Sequence, residues 1–414
     1  MGSFWHPFAA MGTVDGHELV VDRGEGVYVY DTDGKRYLYG TASLWYCNVG
    51  YGRTQITDAV AAQMQRLHTF HTFGDYSNQP AIELADRISG LAPVPGSKVF
   101  FTSGGSDSVD SAAKLARKYF AETGEPDRRV MITRSWAYHG MHGWGTSLAG
   151  MAANLEHSGR TVPDVVEVEW DSTDGLAAAI EAVGTGRVAG FYCEPVIGAG
   201  GVRFPGEAYL KEARRLVGEA GGLFIADEVV TAFGRMGAWF ASERYSLEPD
   251  IITFAKGVTS GYLPLGGVIA SPRVAGPFWS GDLMWRHGYT YSAHASVCAA
   301  ALANLDIIHR EDLVGRALTL ETDLTEALAP LASHQAVSEV RSGAGVLAAV
   351  QLDPELLALD PTAPARAALA ARDAGVITRA VGGGGLQVSP PLTITTSQLE
   401  ELAEGLRSGL SAVG

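Results

Sequence analysis

The stretch Gly222-Leu223-Phe224-Ile225-Ala226-Asp227-Glu228-Val229-Val230 constrains this chain more than any other. Four apolar residues held between a glycine and an acid read as a short strand buried on both faces, the pattern of a parallel sheet. An ionised carboxylate at the tip of such a strand is costly unless it meets a cation. In open α/β sheets the carboxyl ends of the strands are also where ligands bind. Ile251-Ile252-Thr253-Phe254-Ala255-Lys256-Gly257 repeats the pattern and ends on a lysine. Roughly 30 residues separate the two polar tips, the length of a crossover between neighbouring parallel strands. Asp227 and Lys256 either face one ligand or close a salt bridge at a sheet edge; taken alone, the pair favours the salt bridge.

The rest of the chain sets the context. Residues 18–40 read as a hairpin, with strands at 18–21, 27–30 and 36–39 and a turn at Asp33-Gly34, outside the parallel sheet. From about residue 55 helix and strand alternate, which argues for a parallel-dominated α/β sheet. Helices fall at 56–67, 80–91 and 209–219, strands at 99–101, 129–132, 188–193 and 266–270. Val99-Phe100-Phe101 runs into Thr102-Ser103-Gly104-Gly105-Ser106-Asp107-Ser108 and then a helix. A glycine-rich turn at that junction offers free N–H groups and the positive helix end to a phosphate, with hydroxyls from Ser103, Ser106 and Ser108. After Ser292 the spacing predicts long helices at 294–308 and 313–328, a strand at 346–350, helices at 361–374 and 398–410, and a flexible turn over 382–385.

Composition narrows the function classes. The chain has 414 residues, 46% hydrophobic and 19% charged, enough to bury a large core in two or three domains' worth of mass. A net charge of −15 argues against nucleic acid or an anionic membrane as the main partner. No apolar run reaches the length of a spanning helix, and Met1-Gly2-Ser3-Phe4-Trp5-His6-Pro7 lacks the pattern of a secretory leader. Cys47, Cys193 and Cys298 are scattered among apolar neighbours, which fits core residues in a reducing cytoplasm. The pairs His139/His142 and His68/His71 lack the other ligands of a metal site, and no Gly-x-Ser-x-Gly elbow surrounds a serine.

Seven stretches, in this order, resemble the class III pyridoxal phosphate-dependent aminotransferases of fold type I, in particular the ω-amino acid and amine:pyruvate branch. Leu44-Trp45-Tyr46-Cys47-Asn48-Val49-Gly50-Tyr51-Gly52 is similar to the loop at that branch's active-site mouth, and Ser103-Gly104-Gly105-Ser106-Asp107 to its phosphate turn. Tyr138-His139-Gly140 resembles the ring-stacking segment and Glu194-Pro195-Val196-Ile197-Gly198-Ala199-Gly200-Gly201 the next strand exit. Ala226-Asp227-Glu228-Val229 with Phe233-Gly234-Arg235 resembles the central signature. Phe254-Ala255-Lys256-Gly257 is similar to the Schiff-base lysine segment, and His287-Gly288-Tyr289-Thr290-Tyr291-Ser292 to the one lent to a neighbouring subunit. Two departures stand out. Gly104 loses a hydroxyl that the family's turn carries, and Thr378-Arg379-Ala380-Val381-Gly382-Gly383 lacks the acid that often follows the glycine.

The resemblance implies a large, mostly parallel sheet domain at 50–290 and a smaller α+β domain from both termini, 1–49 and 291–414. It implies pyridoxal 5′-phosphate as cofactor. Lys256 would bond its aldehyde and shuttle a proton, and Asp227 would pair with the pyridinium nitrogen. Gly105 and Ser106 would hold the phosphate together with the partner subunit's Thr290. Tyr138 and Val229 would flank the ring, and Glu194 would lie at its edge and restrain Arg379. Arg379 would bind an acceptor's carboxylate through a two-point fork. Trp45 would face the substrate, in a pocket whose other candidate aromatics are Tyr46, Phe73, Tyr138 and Trp144. The expected enzyme is a cytoplasmic homodimer, a dimer of dimers left open, that passes an amino group from an amine or ω-amino acid to a keto acid such as pyruvate, by a ping-pong cycle through pyridoxamine phosphate. A racemase, aminomutase or decarboxylase of the same fold, or a non-catalytic sensor, remains the alternative. Phe4-Trp5-His6-Pro7-Phe8 is similar to a stretch of diaminopelargonate aminotransferases, which keeps a biosynthetic role open.

Overall fold

The computed structural model describes residues 3–14 and 16–414; Met1 and Gly2, part of the stretch read for a leader, lie outside it. Its centre is a seven-stranded sheet in the spatial order Lys98–Thr102, Gly266–Ala270, Ile251–Phe254, Leu223–Asp227, Val188–Cys193, Val130–Arg134, Val165–Val168. Four neighbouring pairs are parallel, and Gly266–Ala270 runs antiparallel to both of its neighbours. Two antiparallel steps cancel, so Lys98–Thr102 points the same way as the parallel strands.

Six strands therefore end at one edge, which gathers the polar tips read in the sequence. The apolar composition explains why. All residues of Leu223–Asp227, Ile251–Phe254, Val188–Cys193 and Gly266–Ala270 are buried, as strands covered on both faces must be. The Val165–Val168 strand went unread in the sequence, because a four-residue edge strand with one exposed face carries too short a pattern.

Two further sheets have four strands each. Val21–Glu25, Tyr28–Asp31 and Arg36–Tyr39 form an antiparallel meander, and Val376–Ile377 joins it in parallel beside Leu38. The other holds Val337–Arg341, Ala348–Leu352, Gly385–Val388 and Ala380–Val381. Helices Ala363–Asp373 and Thr396–Leu410 pack together, the latter opened by a capping box of Thr395 and Gln398.

The first strand begins later than its β-branched residues suggest. Gly26, at φ +56°, makes the turn that pairs Glu25 with Tyr28, and this fixes the register back to Val21 whatever the side-chain polarity. The glycine run at 382–385 is an ordered hairpin turn. Gly382 N–H donates to Ala199 O, and a Cβ on Gly382 would stand 2.9 Å from Gly200 Cα, so the backbones approach where only glycine fits.

Candidate active site

At the carboxyl edge of the large sheet lies a cleft lined by Trp45, Gly105, Ser106, Tyr138, His139, Glu194, Asp227, Val229 and Lys256, among others. Asp227 stands at its floor, only 4% exposed. Its Oδ1 accepts from Val229 N–H at 3.1 Å and Thr253 Oγ1 at 3.0 Å, and its Oδ2 from His139 Nδ1 at 2.6 Å. These three donors stabilise the buried carboxylate and fix its plane. One acceptor position on Oδ2 stays open.

His139 is the functional residue that sequence reasoning missed. The sequence shows only that it completes no metal site, and the resemblance gives the ring-facing role to its neighbour Tyr138. The signal was available, since a histidine beside a strand-tip acid has a natural partner. His139 is buried, rests 5.3 Å from the Tyr192 ring, and has no partner for Nε2 among the described residues.

Lys256 sits at φ +49°, in the left-handed region, just past the strand Ile251–Phe254. Asn304 Nδ2 holds this turn by donating to the carbonyls of Gly257 and Val258, both at 2.9 Å. A side chain on Gly257 would strike Asn48 Nδ2 at 2.6 Å, so the turn cannot relax there. Burial pulls the Lys256 amine down to about 8 from its ordinary 10.5, against the opposing attraction of Asp227. A lysine so placed is partly neutral near pH 7 and can act as nucleophile and base.

The other end of the cleft is built for an anion. Gly105 and Ser106 open the 18-residue helix Gly105–Glu122, whose first N–H groups have no acceptor within the helix. Gly104 is extended, with open space where a Cβ would stand. Ser106 Oγ accepts from Met141 N–H at 3.2 Å. Ser108 is not a free hydroxyl, since it donates inward to Gly104 O and Phe254 O.

Glu194 differs from expectation. It lines the cleft, but its carboxylate accepts the backbone N–H groups of Tyr138 at 3.0 Å and Gly198 at 2.9 Å, and burial raises its pKa. It does not hold Arg379. That guanidinium stacks on the Trp45 ring, 4.4 Å from its centroid, and its Nε donates to Gln387 Oε1 at 2.6 Å. Lys256 Nζ lies 4.9 Å from the centroid of the same ring, so one indole is in reach of both side chains.

The aromatic pocket is smaller than the sequence suggested. Trp45 and Tyr138 line the cleft; Tyr46 bonds Ser43, Phe73 is 51% exposed, and Trp144 is buried beneath Arg117. These last three share no strand tip with the site. Thr290 is exposed on a segment without regular structure and does not line this chain's cleft. Among the described residues no group of three or more His, Cys, Asp or Glu could hold a metal ion.

Known proteins resemble this chain over nearly its whole length. The family model described as aminotransferase class-III matches residues 10–410. The chain is 36% identical to a putrescine–pyruvate aminotransferase of Pseudomonas aeruginosa, over 92% of this chain and 88% of that one. An (S)-enantioselective omega-transaminase from Thermomicrobium roseum superposes with a TM-score of 0.94 at 37% identity, covering 99% of this chain and 96% of the other. An amine transaminase from an uncultivated Pseudomonas species, solved with PLP bound, gives a TM-score of 0.93 at 35% identity over 100% and 99% of the two chains.

Proposed function

The chain belongs to the class-III aminotransferases, and we propose that it carries an amino group from an amine or ω-amino acid to pyruvate in a ping-pong cycle. The residues present fit pyridoxal phosphate, the family's cofactor. A helix N-terminus at one end of the cleft suits its phosphate, and an open acceptor position on Asp227 at the other suits its ring nitrogen. Gly105 lies so close to Val229 that a Cβ would stand 3.1 Å from Cγ1, so a side chain at 105 would crowd the residue read as flanking the ring. The observation that carries the reading is this convergence of Lys256, Asp227 and the helix end in one cleft.

When bound, the cofactor supplies a carbonyl carbon that accepts the amino group and a cationic ring that draws electrons from the substrate carbon. Every other part falls to the chain. Lys256 Nζ would take the proton from the donor's amino-bearing carbon and return one to the carbon that receives the amino group. Asp227 Oδ2 holds the ring nitrogen protonated, and His139 holds Asp227. Gly105 and Ser106 N–H groups grip the phosphate, Tyr138 and Val229 orient the ring, and Glu194 closes its edge. Arg379 takes the keto acid's carboxylate, and Trp45 bounds the space for the donor's side chain.

We further read the chain as a homodimer in which the partner subunit's Thr290 completes the phosphate site. Supporting this, the 281–294 stretch exposes Met284 and Tyr291, and Thr290 is exposed and does not line the Lys256 cleft of its own chain. A cytoplasmic setting is supported by three buried free cysteines. No helix among the described residues is long and apolar enough to cross a membrane.

The test is a donor screen with pyruvate as acceptor, scored by alanine formed. Putrescine, β-alanine and a chiral arylalkyl amine with a hydrogen on its amino-bearing carbon should each be tried, with Lys256→Ala as control. Alanine from at least one donor, absent in the control, is expected. Racemised donor without alanine would replace this reading with a racemase.

A further inference from the structure

Gln387 is an unusual residue for its place. It lies in the strand Gly385–Val388, every residue of which is buried, and is itself fully buried. A buried amide is costly unless each of its polar atoms is paired. Here they are. Oε1 accepts Arg379 Nε at 2.6 Å, and Nε2 donates to Ser389 Oγ at 2.6 Å, which in turn donates to Thr41 O at 3.3 Å. Its backbone N–H donates to Arg379 O at 2.9 Å, and its carbonyl accepts Thr378 Oγ1 at 2.7 Å. The amide thus clamps Arg379 at main chain and side chain at once.

The clamp also reaches the loop that carries Trp45. Ala42, Ser43 and Trp45 all have positive φ, at 43°, 60° and 63°, a strained path held in part through Thr41. One hydrogen-bonded chain therefore fixes the guanidinium and bears on the position of the ring beneath it.

The choice of amide over carboxylate has an electrostatic consequence. Among the described residues no carboxylate lies within ion-pair distance of Arg379, and Glu194 is occupied by two backbone N–H groups. A carboxylate at Gln387 would neutralise the guanidinium in a low-dielectric site and compete with an incoming anion. A neutral oxygen on Nε orients the fork without discharging it. Burial already works against the Arg379 charge, so an anionic ligand would be strongly welcome there.

We propose that Gln387 is the positioning residue that makes Arg379 a carboxylate receptor, setting this enzyme's preference for keto-acid acceptors without touching substrate. This rests on the reading of Arg379 as the acceptor's carboxylate site, and the experiment separates the two.

The two half-reactions are run apart on cofactor-loaded protein, each followed by the visible absorbance of the cofactor. The donor is an amine without a carboxylate; the acceptors are pyruvate and propanal. For Gln387→Glu, the pyruvate concentration at half-maximal rate should rise about tenfold or more, with the limiting rate within threefold. The amine and propanal reactions should stay within about twofold. Gln387→Met, which removes the acceptor atom and adds no charge, should raise the pyruvate value about threefold, and it decides the matter if Gln387→Glu fails to take up cofactor. Equal changes in both half-reactions, or none in either, would overturn the proposal. Arg379→Ala is the reference: unchanged pyruvate dependence there would sink the carboxylate-site reading itself, whatever Gln387 does.

Discussion

His139 Nδ1 lies 2.6 Å from Asp227 Oδ2, with both side chains buried. The carboxylate is thereby held in one orientation, with an acceptor position facing the cleft. Replacing His139 by Leu should leave cofactor uptake largely intact and lower turnover by about tenfold to a hundredfold, the usual loss when an orienting partner goes. Asp227→Asn should cost far more, since it removes the charge opposite the ring nitrogen. Steady-state rates alongside a cofactor titration distinguish the two. Equal losses in both variants would mean that His139 does more than position.

The buried Lys256 amine makes a pH prediction. Its pKa in the folded protein is about 8, against 10.5 in an unfolded chain. Between those values the unfolded state binds more protons, so this group's contribution to stability rises with pH. Below pH 8 the burial penalty is constant, on the order of 3 kcal/mol at 1.4 kcal/mol per unit. Cofactor-free Lys256→Met should therefore be the more stable protein at pH 7, with the gap closing toward pH 10.5 in urea titrations. In wild type the rate of cofactor capture should reach half its maximum near pH 8. A midpoint above 10 would show an amine that burial has not perturbed.

Glu228, beside Asp227 in sequence, has a structural task. Its buried carboxylate accepts Ala241 N–H at 2.5 Å, Ser242 N–H at 2.9 Å and Thr231 Oγ1 at 3.1 Å. Glu228→Ala strands these donors and should cost about 3 kcal/mol or more. Denaturant unfolding measures it, and a loss under about 1 kcal/mol would mean that water replaces the carboxylate.

The phosphate turn yields a gain and a loss. Gly104 has an extended φ of 175° and open space at its Cβ, so Gly104→Ser is accommodated and adds a hydroxyl donor. Cofactor affinity should rise by roughly tenfold, about one hydrogen bond to a charged group. Gly140→Ala should do the reverse, because φ is +92° and the new Cβ would sit 2.4 Å from Ser106 Oγ. Equilibrium titration of cofactor-free protein reads both. A Gly104→Ser variant that binds more weakly would place the phosphate elsewhere.

Much of this was legible in the sequence where one short pattern carried both fold and chemistry. Leu223–Asp227 announces a doubly covered strand and its acid in five residues, and Lys256 follows the same logic. What escaped depends on contacts between distant segments. Gln387 meets Arg379 across a hairpin, and His139 meets Asp227 from another strand's exit; neither pairing has a spacing to read. The expected Glu194–Arg379 contact failed for a local reason. The carboxylate is satisfied first by the two N–H groups nearest it, at Tyr138 and Gly198. The strand at 18–21 was displaced because a turn at Gly26 overrode side-chain propensity.

The most direct test of the account is a single-turnover exchange on cofactor-loaded protein. Excess amine donor is added, removed by gel filtration, and replaced by pyruvate. The predicted result is close to one alanine per active site from wild type and none from Lys256→Ala. Alanine from the lysine variant at the wild-type rate, or none from wild type with a donor it demonstrably consumes, would contradict it.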